Sequence, residues 1–262
     1  MIHIEPSATA VNASAISYRN VLAEGTLLWT NQTADGFAAN ALGPQTYDAW
    51  VPSALPAAIS SLLPEPVECD CAAIIAHTLG SAGATIMIQA SATGSSWVTL
   101  STLTPEDDRD IFVLFSAEQA YPRWRILITG TTPPSIGIAW IGPRMLIPGG
   151  VQAGYVPLNM ALDVELSPSI TVKGQYVGAY TKRTGGGTSI PLATQDREWL
   201  RYDAPEFIAH YNAGKPFLWM SCPDELPEDA HYCWRDGNTL AASFGAGARR
   251  GDLTMQVSAY VS

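Results

Sequence analysis

The chain has 262 residues, enough for one large or two ordinary domains, each with a buried core. Its 14 Lys and Arg stand against 24 Asp and Glu, for a net charge of −10, and residues 1–100 hold one basic residue, Arg19. Nucleic acid and anionic membrane surfaces, which call for clustered Lys and Arg, are thereby excluded as partners. Hydrophobic residues make up 47% and charged residues 15%, a balance that suits a surface largely covered by neighbours. No apolar run approaches the roughly 18 residues of a membrane span. The opening Met1-Ile-His-Ile-Glu-Pro6 lacks the basic start and apolar core of a signal peptide, so a cytoplasmic origin is expected. Four cysteines are too few for a disulfide framework, and reduced, buried thiols are the expected state.

In chain order, residues 1–36 read as an irregular lead-in. Residues 37–150 read as a jelly-roll β-sandwich, because short apolar strands recur between Gly, Pro and Ser turns. The predicted strands cover 84–91, 96–101, 110–115 and 123–129, after the aromatic opening Tyr47-Asp-Ala-Trp50-Val-Pro52. The Gly/Pro-rich stretch 147–157 marks a domain boundary.

Residues 151–262 read as a β-barrel-like domain with one helix. Residues 170–180 alternate like one long strand. Lys182, Arg183, Gly185, Gly186 and Gly187 then form the flexible tip of a hairpin running from Tyr176 to Ile190. Residues 198–212 favour a helix that Pro205 either starts or breaks, so the firm part is 205–213, with Asp203 as its cap. Further strands are expected at 216–221, 231–234 and 253–260. The expected fold class is therefore mainly β.

No constellation with a recognised chemistry emerges. Structural zinc takes four ligands in close pairs such as C-x2-C, whereas ten residues separate Cys222 from Cys233, with His231 nearby. Cys69 and Cys71 alternate on one strand face. His3, His77, His210 and His231 belong to no nucleophile signature, and no G-x-S-x-G elbow occurs. The acidic clusters at 106–108 and 224–229 lie among prolines and read as solvated loops rather than as paired glycosidase carboxylates. Asp107, Asp108 and Asp110 are hard oxygen donors in a loop, the type that calcium accepts. The glycines at 185–187 lack the following Lys-Ser/Thr of a phosphate loop. No catalytic residue, metal or cofactor is expected. Sugar sites set flat aromatic rings beside polar side chains. Trp50, before a Val-Pro turn, and Trp97, after a Gly-Ser-Ser turn, are the candidates for glycan contact, while Trp124 and Trp140 sit in core patterns.

Two resemblances rest on these segments. Tyr47-Asp-Ala-Trp50, Ile86-Met-Ile-Gln-Ala-Ser91 followed by Gly94-Ser-Ser-Trp97, and Arg123-Trp-Arg-Ile-Leu-Ile128 resemble, in order, the discoidin-like, galactose-binding-type jelly rolls. Residues 205–219 with His231-Tyr-Cys-Trp234 are similar to the ring domain of bacteriophage distal tail and tail-tip proteins. Together the resemblances imply a virion structural protein of a phage tail tip, made in the host cytoplasm, with a carbohydrate-binding-type accessory domain. Its implied partners are other tail proteins and copies of itself, six per ring with three as the alternative. The rival reading is a lectin-like adhesion module that binds a host surface glycan.

Overall fold

The computed structural model describes residues 2–116, 119–244 and 249–260. The chain is mainly β and divides into two compact units, residues 2–146 with 222–230, and residues 147–221 with 231–260.

The first unit contains β1 (Ile2–Ile4), β2 (Ala15–Ser17), α1 (Val21–Glu24), β3 (Thr26–Thr30), β4 (Ala57–Val67), β5 (Cys71–His77) and α2 (Leu79–Ala82). It continues with β6 (Thr85–Ser91), β7 (Val98–Leu103), β8 (Ile111–Leu114), β9 (Tyr121–Thr129), β10 (Ile136–Gly142) and β11 (Met145–Leu146). Two sheets form a jelly-roll sandwich, one of four strands ordered β1-β8-β5-β10 and one of five ordered β3-β4-β9-β6-β7. Alternation builds the core between them. Ile59, Ile86, Ile88, Trp124, Ile126 and Ile128 come from the five-stranded sheet, and Ala72, Ile74, Val113, Ala139 and Ile141 from the other. β10 is buried at all seven positions, which requires cover on both faces.

Residues 1–36, expected as an irregular lead-in, supply part of this unit. β1 pairs in parallel with β8, and β3 forms the edge beside β4. Asn20 explains how so polar a segment is fixed. Its amide donates to Ala139 O (2.9 Å), and its Oδ1 accepts from Leu22 N (3.2 Å) and Ile141 N (3.3 Å), capping α1 and tying it to β10. Residues 222–230 also return to this unit, where Asp224 N donates to Val11 O (3.0 Å).

The second unit contains β12 (Leu162–Ile170), β13 (Tyr176–Asp196), α3 (Arg197–Tyr202), α4 (Ala204–Asn212), β14 (Phe217–Met220), β15 (Ala230–Arg235), β16 (Ser243–Phe244) and β17 (Arg250–Ala259). Its sheet runs β14-β15-β17-β13-β12, with β16 on β17. Pro205 stands in the first turn of α4, and the expected single helix is two, broken at Asp203. Phe207, Tyr211 and Phe217 pack ring against ring, Phe207 and Phe217 edge-on at 5.3 Å.

Two sequence expectations fail here. Residues 170–180 are not one strand, because a turn at 171–175 separates β12 from β13. Gly174 takes φ +79°, open to a residue without a Cβ, and its N–H reaches Thr171 O at 2.8 Å. The expected tip at 182–187 instead lies inside β13, a single 21-residue strand. Gly186 pairs with both Leu162 and Ala259, so the glycines mark the point where β13 leaves β12 and takes up β17. The side chains of Lys182 and Arg183 lie outside the described residues. Beyond that crossing, β12 and the first half of β13 form a two-stranded arm, exposed along nearly its whole length from Val164 to Thr181.

Candidate functional site

The outer face of the five-stranded sheet carries the most distinctive polar cluster of the first unit. Trp124, Ile126 and Ile128 are fully buried, so the alternation of β9 turns Arg123 and Arg125 to the opposite face. The register sets Gln89 of β6 beside Arg125, and Thr99 of β7 beside Gln89. Arg125 Nε donates to Gln89 Oε1 at 2.6 Å, and Gln89 Nε2 donates to Thr99 Oγ1 at 2.8 Å. The Arg125 guanidinium lies 3.9 Å from the centroid of the Trp97 ring, a cation–π contact. Burial lowers the pKa of this guanidinium below its usual value.

The turn between β6 and β7 presents Trp97. Ser91 Oγ accepts from Thr93 N (3.3 Å) and Gly94 N (2.7 Å) and donates to Ser96 O, closing the loop on itself. Gly94 takes φ +87°, and a Cβ there would stand 2.8 Å from Arg123 Nη1. The glycine therefore serves two needs, a backbone conformation that L residues rarely adopt and room for a guanidinium laid across the turn. The result is a partly buried indole backed by one arginine, with a second arginine alongside.

Trp50, the other candidate for glycan contact, is fully buried and cannot offer a ring to a ligand. It bridges Ile136, with Trp50 N donating to Ile136 O (2.8 Å), and its indole N–H reaches Asn31 O (3.3 Å). Trp124 meets Tyr121 edge-on at 5.8 Å within the core, and Trp140 donates to Ser17 Oγ at 3.0 Å.

The candidate metal and catalytic groups do not converge. Among the described residues, no three His, Cys, Asp or Glu gather to hold a metal ion. Asp107 is engaged by Arg109, Asp108 by the Ser81 N–H (2.9 Å) and hydroxyl, and Asp110 by Ala76 N (3.0 Å), so these carboxylates point to three separate partners. All four cysteines are free thiols. Burial raises the Cys69 pKa and pushes that of Cys71 up to about 12, so both stay protonated and unreactive. His77 is buried, its Nδ1 accepts from Leu79 N (3.2 Å), and burial lowers its pKa. His210 Nε2 meets Pro216 O at 2.8 Å. No described helix is long and apolar enough to cross a membrane.

Arg123, Arg125 and Gln89 were not among the sequence candidates. The alternation of Arg123-Trp-Arg-Ile-Leu-Ile128 already sets both arginines opposite the buried residues, and that was the available signal.

The sequence matches no protein family and no curated protein. Solved structures similar to it include the chitosan-binding module 1 of a chitosanase/glucanase from Paenibacillus sp. IK-5, at 18% identity and a TM-score of 0.40, covering 47% of this chain and 98% of that one. Another is CpGH89CBM32-5 from Clostridium perfringens in complex with GalNAc-β-1,3-galactose, at 12% identity and a TM-score of 0.41, covering 47% and 97%. A Ruminococcus gnavus GH29 fucosidase in complex with fucose is similar over 49% of this chain but 28% of its own, at 12% identity and a TM-score of 0.40. The phage-tail resemblance has no counterpart among these three.

Proposed function

We propose that the first unit is a carbohydrate-binding accessory module, non-enzymatic, whose contact surface is the outer sheet face around Trp97. The observation that carries this reading is the Trp97–Arg125–Gln89 chain, which ties an aromatic ring at the end of the β6–β7 turn to polar groups of a rigid sheet. Trp97→Ala removes the platform without touching the core between the sheets. Its thermal transition is expected to stay close to that of the parent, while titration calorimetry against soluble glycans is expected to show at least a tenfold loss of affinity, the scale of a truncated aromatic anchor. Unchanged affinity in a folded Trp97→Ala protein defeats the assignment of this face.

The arm favours a second role beside the first, assembly into a larger structure such as a phage tail tip. On β12, Val164, Leu166, Pro168 and Ile170 alternate with Glu165, Ser167 and Ser169, the pattern of a strand buried on one face, yet Leu166 is 55% and Ile170 61% exposed. An isolated two-stranded hairpin is marginal in water, which argues for a partner. Residues 162–183 contain Lys173, Lys182 and Arg183 against Asp163 and Glu165, whereas the whole chain carries −10, so a further acidic copy of this chain complements the arm in charge.

A further inference from the structure

Residues 1–146 contain five arginines, no lysine and twelve Asp or Glu. Three of the arginines are matched to a carboxylate: Arg19 to Glu24 at 2.7 Å, Arg109 to Asp107 at 2.6 Å and Arg144 to Asp70 at 3.0 Å. Arg123 and Arg125 make no such pair among the described residues, although acids outnumber bases more than two to one. They are also neighbours, two residues apart on one face of β9 and so about 7 Å apart along the strand. Two like charges at that spacing repel each other, and the partial burial of Arg125 strengthens the repulsion by thinning the water that would screen it. Every other arginine in this stretch has its own counter-charge, so among the described residues these two mark the place where an outside counter-charge would fit.

The donors left over fit that role. Arg125 spends Nε on Gln89 and one flat side on Trp97, and neither Nη has a hydrogen-bond partner among the described residues. Its outer fork of two parallel N–H donors therefore stays open, the arrangement that grips a carboxylate or sulfate through two bonds. Arg123 makes no hydrogen bond with the described residues and lies against the bare Cα of Gly94.

Resting on the reading of this face as a sugar site, we propose that it selects an anionic sugar. The ring would stack on Trp97 while Arg123 and Arg125 bind its carboxylate or sulfate group. The surrounding unit is strongly acidic, so diffuse attraction cannot produce such binding, and long-range repulsion opposes it.

The test measures binding of the full chain to three polymers: polygalacturonate as the carboxylate probe, a sulfated galactan as the sulfate probe and an uncharged galactan as the control. Expected is binding to at least one anionic polymer. That binding should fall on the order of tenfold in each of Arg123→Gln and Arg125→Gln, from the loss of a charge-assisted bond. Arg125→Lys should restore little, because an ammonium keeps the charge but loses the fork. The carboxylate and sulfate probes identify which group is recognised. Equal binding of the neutral galactan, lost in Trp97→Ala but untouched in both arginine variants, overturns the anionic preference and leaves the sugar site standing. No binding to any of the three overturns both.

Discussion

Arg144 and Asp70 show how much the first unit rests on single side chains. The Arg144 side chain is fully buried, its N–H and Nε both donate to the Asp70 carboxylate (2.7 and 3.0 Å), and its Nη2 donates to Thr9 O (2.8 Å). Burial raises the Asp70 pKa above its ordinary value, and Arg144 opposes that rise. Folding thus favours protonated Asp70, a contribution complete below the ordinary carboxylate range and lost as pH rises through the raised folded value. Arg144→Ala leaves this charge buried alone and is expected to cost about 3–5 kcal/mol in urea unfolding at neutral pH. The deficit should shrink as pH falls through the raised value, since a protonated Asp70 needs no cation. A deficit that stays constant down to acid pH would show that Asp70 carries no such burden. At this scale the sequence is readable by type but not by place. Trp50, before Val51-Pro52, has the look of an exposed turn, and its pairing with Ile136 is a contact across 86 residues that no local pattern reveals.

Among elements, the helical stretch 197–212 was legible, whereas α1 and α2 were not expected. Pro205 and Asp203 are local signals, and the break between α3 and α4 falls where they put it. The cap is the exception. Asp196 Oδ1 accepts from Glu198 N at 2.7 Å, whereas the side chain of Asp203 makes no capping bond. Asp196→Ala should therefore destabilise the protein by about 1 kcal/mol, and Asp203→Ala by clearly less, as read from urea midpoints; the opposite ranking would refute the assignment. The core strands of the sandwich were also legible, since alternating Ile and Trp on β6 and β9 reflect a face buried by the opposing sheet. Gly185, Gly186 and Gly187 misled because glycine serves turns and strand crossings alike, and only the partners on either side of β13 tell the two apart. Arg123 and Arg125 were present in the same alternation, but their lack of a carboxylate partner among the described residues, which makes them informative, is a property of three-dimensional neighbours.

For the molecule as a whole, the arm is the feature on which the proposed assembly rests. Excising residues 164–181 and closing the gap with a short turn leaves the pairing of β13 with β17 intact, so the shortened protein is expected to fold. Sedimentation velocity should then show the parent associating as its concentration rises and the shortened protein remaining a monomer. A parent that stays monomeric throughout removes the case for self-assembly through the arm. The division into units has a different consequence. Because residues 222–230 belong with 2–146, the first unit is discontinuous in sequence, with residues 147–221 of the second falling between its parts along the chain. On a ribosome, which releases the N-terminus first, the earlier module waits for its last strap until most of the later one has been synthesised. A gene fragment ending at 146 would encode a sandwich without that strap, so any excision of this module for use elsewhere has to graft the distant nine residues back.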